Sequence, residues 1–169
     1  MPTFNNLKDL EKFAQRKLMD TVKSPKVLST FRQAMVDSVY TEVYDAYDST
    51  LYENRYEDGG LSDARNMVFT QHVLVGDTLV SDFENLTVGS DKPFGDFPTD
   101  SMDGFFISEL IENGSDVQHN SPSNSENGWY KPDGKWAEPR PFAKATAEKL
   151  DRTSYNQHLK NAIERGMNN

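Results

Sequence analysis

Carboxylates and histidines are the side chains best able to do chemistry in this chain, and their spacing decides which chemistry is open to them. Asp82 and Glu84 stand two apart on one face of a strand-like run, and Asp96, Asp100 and Asp103 gather in a run rich in Asp, Pro and Gly. Neither group has the fixed spacing of a calcium loop or that of a nuclease site with its lysine, so a solvated acidic face explains both. His72, His119 and His158 lie far apart, and none stands in a His-x-x-x-His frame. Asp58-Gly59-Gly60 is not followed by the Lys-Ser/Thr pair of a phosphate-cradling loop, and no glycine elbow frames a serine nucleophile. With no cysteine, disulfides, thiol catalysis and thiolate metal sites are excluded, which fits a reducing compartment. The expectation is a non-enzymatic protein with no catalytic, cofactor-binding or metal-binding residues.

Something must still organise these side chains. A length of 169 residues with 36% hydrophobic content fits a single domain over 1–169 with one modest core. Ten Phe, seven Tyr and two Trp argue for a folded body. The net charge of -9 argues against general nucleic-acid binding, which needs clustered Lys and Arg, and favours solubility. The opening MPTFNNLKDLEKF has no basic region followed by an apolar core, and no apolar run approaches the roughly 20 residues of a membrane span. Synthesis in the cytosol is expected.

Apolar residues at Leu7, Leu10, Phe13 or Ala14, Leu18 and Val22 predict a first helix, with Asn5 or Asn6 as its N-cap. Ser24-Pro25 predicts its end and the cap and first residue of the next. That second helix carries Val27, Phe31, Met35, Val39, Val43 and Ala46 on one face, widened by Tyr40, Tyr44, Tyr47 and Leu51, and reads as core-facing. From Asn66 the period becomes two, placing Met67, Phe69, Gln71, Val73 and Val75 on one side and Val68, Thr70, His72 and Leu74 on the other. Gly76-Asp77 is then the turn of a β-hairpin that returns over Thr78 to Leu86. His72 reads as a satisfied or solvent-facing histidine. Long loops are expected at 87–104 and 115–138, flanking a short apolar element, Phe105 to Ile111, in which Phe106, Leu110 and Asn113 suit a helix while the length also suits a buried strand, the favoured reading being a strand or mixed turn. Phe142 to Met167 predicts a closing helix, with a break near Thr153-Ser154. The fold class is therefore α+β: N-terminal helices, a small antiparallel sheet containing the hairpin, and a C-terminal helix packed on the sheet.

In WAEPRPFAKATAEKL, Pro139 and Pro141 hold the approach to that helix extended around Arg140, and Phe142 begins the helix with a ring that must dock somewhere. The tyrosine-rich VYTEVYDAYDSTLYENRY, a Gly-Gly-Leu connector, the hairpin, Ile111-Glu112-Asn113-Gly114 and then Arg140-Pro141-Phe142 follow in order. This order resembles the small tail-completion and head-to-tail joining (neck) proteins of long-tailed bacteriophages, over most of the chain. In that family a hydrophobic-Ile-Glu-x-Gly segment precedes a variable loop and an Arg-Pro-Phe that opens the closing helix. The excursion from Ser115 to Lys135 is longer than the family pattern, and the Asp- and Phe-rich run after the hairpin departs from it.

The resemblance implies a virion structural protein in a homo-oligomeric ring of six or twelve copies, located at the neck or tail end after assembly in the host cytoplasm. It implies other neck and tail proteins as partners, no membrane, no cofactor, and DNA only as cargo sliding through the lumen. Interface candidates are Tyr44, Tyr47, Phe94, Phe97, Trp129, Tyr130, Trp136, Arg140 and Phe142, large aromatics and an arginine of the kind that concentrate binding energy. The rival expectation is an acidic DNA-mimic inhibitor of a nucleic-acid-binding host protein. Mixed signs in LKDLEKFAQRK and AEKLDRTSYNQHLK weigh against that mimicry.

Overall fold

The computed structural model describes residues 4, 6–46, 57–88, 107–113 and 139–168. Helix α1 spans Leu7–Val22, and Asn6 caps it by accepting the Asp9 N–H at 2.9 Å. Ser24 caps α2, Pro25–Val39, and Pro25 occupies its first turn, where a missing N–H costs nothing. The helix runs on without a break into a wider turn, Tyr40–Tyr44, closed by Asp45 N–H donating to the Tyr40 carbonyl five residues back.

Helix α2 is the central element. Val27, Ala34, Met35, Ser38, Val39 and Val43 are buried along it, while Ala46, at the end of the expected stripe, is exposed. Ser38 is tolerated there because its hydroxyl donates to the Ala34 carbonyl at 2.9 Å. Around α2 pack α1, the hairpin strand β1 (Met67–Val75), and the two C-terminal helices α4 (Phe142–Arg152) and α5 (Ser154–Asn168).

Strand β1 pairs antiparallel with β2 (Thr78–Asn85) through the Gly76-Asp77 turn, where Gly76 takes a φ of 64° that other residues rarely adopt. The register slips between Phe69 and Gln71, leaving Thr70 as the extra residue of a β-bulge. This slip corrects the expected alternation. Met67 and Phe69 face the body, but beyond the bulge His72 and Leu74 do so, and Gln71, Val73 and Val75 turn outward. On β2 the inward set is Leu79, Ser81, Phe83 and Asn85 without interruption. Phe31 of α2 meets both Phe69 and Phe83 edge-on, with ring centroids 5.0 and 5.2 Å away. His72 lies 2.8 Å from the Ser81 hydroxyl. Burial, with Lys23 nearby, lowers its pKa.

Two further expectations need correction. The Phe105 to Ile111 element is helical where described: α3 spans Ile107–Asn113. Ser108 donates to the Asn85 carbonyl and Ile111, three residues on, packs against the core, a helical spacing rather than an alternating one. The closing segment breaks into two helices at extended Thr153, where a break was expected, but its chief partner is α2 rather than the sheet. Tyr155 of α5 donates to Asp37 of α2 at 2.5 Å, and burial followed by the Asp37 bond pushes the phenol up to about 12. At the far end of α5, a Cβ on Gly166 would stand 2.5 Å from the Thr21 side chain, so glycine permits the close approach to α1. The main core joins Met35, Val39 and Val43 of α2 with Leu61, Met67 and Phe142, and Val36, Tyr44, Phe83 and Ile111 pack around it.

Candidate functional site

The two halves of the sequence pattern, separated by the long segment before Pro139, meet in space. Arg140 N–H donates to the Ile111 carbonyl at 2.8 Å. Proline at position 141 has no side-chain oxygen with which to cap α4, and Glu112 supplies the missing cap from α3. Its carboxylate accepts the N–H groups of Ala143 at 2.7 Å and Lys144 at 3.3 Å, adding negative charge where the helix dipole favours it. Phe142 then drops its ring into the core beside Ile111. The stiff Pro139 to Pro141 approach thus has a purpose inside the chain: it delivers α4 onto a cap held by α3. Glu112→Ala should lower stability by about 1 kcal/mol, as loss of an N-cap does, and Glu112→Gln by less, since one acceptor oxygen remains. Thermal denaturation of the two variants checks the order.

A knot of buried polar groups fixes the base of the hairpin against this seam. Asn85 donates to the Leu61 carbonyl at 2.7 Å and accepts the Thr87 N–H at 3.1 Å. The Thr87 hydroxyl, within reach of Asn85 Oδ1 and the Gly60 carbonyl, accepts from Asn66 at 3.2 Å. With Ser108 on the Asn85 carbonyl, α3 is tied to β2. Nearby, buried Asp63 caps the single turn Ala64–Asn66 that leads into β1. It accepts from Gly59 N–H at 2.8 Å, from Arg65 N–H at 2.9 Å and from the Arg65 guanidinium at 2.6 Å. Gly59 reaches it with a φ of 75°. Foremost the Arg65 hydrogen bonds hold the Asp63 carboxyl well below the usual carboxylate range. These groups hold one another, and the arrangement is that of a structural joint.

Of the interface candidates, three are described. Among the described residues Phe142 is the largest fully buried side chain, so its ring serves this chain's own core. Arg140 is half-buried beside α3. Tyr44 is half-buried, rests edge-on against Tyr40 and accepts the Ser62 N–H at 3.3 Å, and burial raises its pKa. Tyr47, Phe94, Phe97, Trp129, Tyr130 and Trp136, with the loops at 89–104 and 115–138, lie outside the described residues.

The large apolar side chains on the described surface are different ones: Leu7, Leu10 and Phe13 on α1, Val73, Val75 and Val80 on the hairpin, Val88 just after it and Met167 near the end of α5. The first three were legible only as the start of an inward stripe, and the outward turn of Val73 and Val75 depends on the Thr70 bulge. Among the described residues no cluster of His, Asp and Glu is placed to hold a metal ion, and no helix is long and apolar enough to cross a membrane.

No curated protein and no solved structure matches the chain. A family model described as YomN matches residues 6–169, nearly the whole sequence, and the chain belongs to the YomN family.

Proposed function

We propose that this chain is a non-enzymatic virion structural protein that assembles as a ring in the neck of a long-tailed phage, completing the tail or joining it to the head. The observation that carries this reading is the seam. Ile111-Glu112 and Arg140-Pro141-Phe142, the two motifs on which the resemblance rests, form one bonded unit, with Glu112 capping the helix that Phe142 begins. The apolar patches on α1 and the hairpin give the body surfaces for contact with other copies or other neck proteins. Its net charge of -9 suits a lumen through which DNA slides without adsorbing, because like charges repel phosphate.

Deleting the coding region from the phage genome tests the assignment. Filled heads and finished tails should accumulate unjoined, and the chain supplied in trans should restore whole particles. Infectious, fully joined particles lacking the chain would refute it.

A further inference from the structure

The hairpin is fixed at its base and only rests on the body towards its tip. At the base Met67 is fully buried, Phe69 and Phe83 pack on Phe31 of α2, Arg32 donates to the Met67 carbonyl at 2.8 Å, and Ser108 donates to the Asn85 carbonyl. Beyond the Thr70 bulge, no residue of either strand from 71 to 82 is buried outright. The inner face there consists of His72, Leu74, Leu79 and Ser81, each half-buried, and Leu74 meets α1 across a shallow groove lined by Lys12, Arg16, Met19 and Asp20. A bulge interrupts the ladder and bends the strand at one point, which is where a hairpin held at one end gives way.

His72 is the titratable side chain of that inner face. Its ring lies against the Phe69 ring, with centroids 5.0 Å apart, and 2.8 Å from the Ser81 hydroxyl on the opposite strand. The charged groups around it offer an imidazolium no partner. Lys23, at the junction of α1 and α2, acts on the ring and repels a proton. On α1, Asp20 shares the groove beside Leu74 with Lys12 and Arg16; on α2, Arg32 is engaged at the Met67 carbonyl. On β2, Asp82 stands opposite Gln71 on the outer face, and Glu84 accepts the Thr70 hydroxyl at 2.8 Å. A proton taken up while the tip is seated therefore sets a second positive charge beside Lys23 in a half-buried place, whereas raising the tip lets water hydrate it. We propose that the outer half of the hairpin, residues 71–82, is an arm that acid releases from α1, with the Thr70 bulge as its hinge and protonation of His72 as its trigger. The direction follows from linkage. Burial and Lys23 hold the seated ring below the ordinary histidine value of about 6.5, so seating is favoured above that value and is lost as pH falls below it. One unit below, an ordinary histidine is about ten parts charged to one uncharged, which sets a ceiling of roughly tenfold on the rise of the raised population by about pH 5.5.

The absence of cysteine makes paired spin labels a clean test. Glu11→Cys on α1 and Val75→Cys at the tip, both at exposed positions, carry the labels, and the distance distribution between them is measured on the full chain at about pH 7.5 and about pH 5.5. The chain should show one distance at the higher pH and gain a longer component at the lower, rising by up to about tenfold. With His72→Gln added, the distribution should not respond to pH. Lys23→Gln, an exposed change that leaves the ring in place, should weaken the response because one of the forces opposing the charge is gone, and it serves as the comparison where His72→Gln fails to fold. A distribution that is the same at both pH values, or that shifts as far with either substitution as without it, would overturn the arm. So would loss of the helical circular-dichroism signal over the same range, since the body would then be unfolding rather than the tip lifting.

Discussion

Phe142→Ala should lower the free energy of unfolding by about 3–5 kcal/mol, the range for emptying a buried aromatic site. The ring is 2% exposed and belongs to the cluster of Met35, Val39, Val43, Leu61 and Met67, with Ile111 alongside. Among the members of that cluster it is the sole contribution of the C-terminal helices. The surrounding groups are pinned by α2 and by the polar knot at the hairpin base, so collapse into the space left behind would be limited, and the cavity term is added to the lost transfer term. Small domains have about 5–15 kcal/mol of stability in all, so the variant should lie near the edge of folding. Phe142→Leu, which fills most of the volume, should cost less than half as much. Urea denaturation provides the comparison, and a loss under about 1 kcal/mol for the alanine variant would mean that α4 is seated by something other than this ring.

Asp63→Ala should cost about 2–3 kcal/mol at neutral pH, because hydrogen bonds to a charged acceptor are lost and the donors that faced it are left behind. The side chain of Asp63 is 5% exposed, so water cannot readily replace it, whereas that of Arg65 is 73% exposed and can rehydrate. Much of the loss therefore falls on the Gly59 and Arg65 backbone N–H groups, and with them on the turn that aims β1. The sign of the pH dependence follows from the lowered folded-state pKa. Above the ordinary aspartate value of about 3.9 both states are ionised and the contribution is complete. Below that value the unfolded chain takes up a proton that the folded chain refuses, and stability is lost as pH falls towards the folded value. The gap in melting temperature between the natural chain and Asp63→Asn should thus hold steady from about pH 7 to 5 and narrow near pH 3. A gap that stays constant or widens on acidification would contradict the role given to the carboxylate.

What could be read directly from the sequence was local chemistry. Asn6, Ser24-Pro25 and Gly76-Asp77 act through hydrogen bonds and backbone angles within a few residues, and each is where the residue types place it. The break near Thr153-Ser154 belongs with them, although the hydroxyl that serves it is that of Thr153, which donates to the Lys149 carbonyl and accepts the Tyr155 N–H, rather than that of Ser154. Features set by distant partners were not legible. The Thr70 bulge reverses the outward face of β1 although the hydrophobic letters alternate across it, and it is fitted to the aromatic contacts among Phe31, Phe69 and Phe83. Helix α3 has apolar residues suited to either a strand or a helix, and Asn85 and the Phe142 seam decide between them. In the seam itself both motifs were visible, but their meeting was not, because Glu112 in sequence is only one carboxylate among many. Its role is given by the missing cap at Pro141, which is a question about the other end of the chain. The exposed start of α1 shows the reverse limit: an apolar stripe reads the same whether or not the body extends far enough to cover it.

Imaging of the purified particle at the junction of head and tail tests most directly whether these surfaces exist to join copies. A closed ring of identical subunits into which this chain can be traced is the expected result. Particles whose junction is complete and contains no copy of the chain would contradict it.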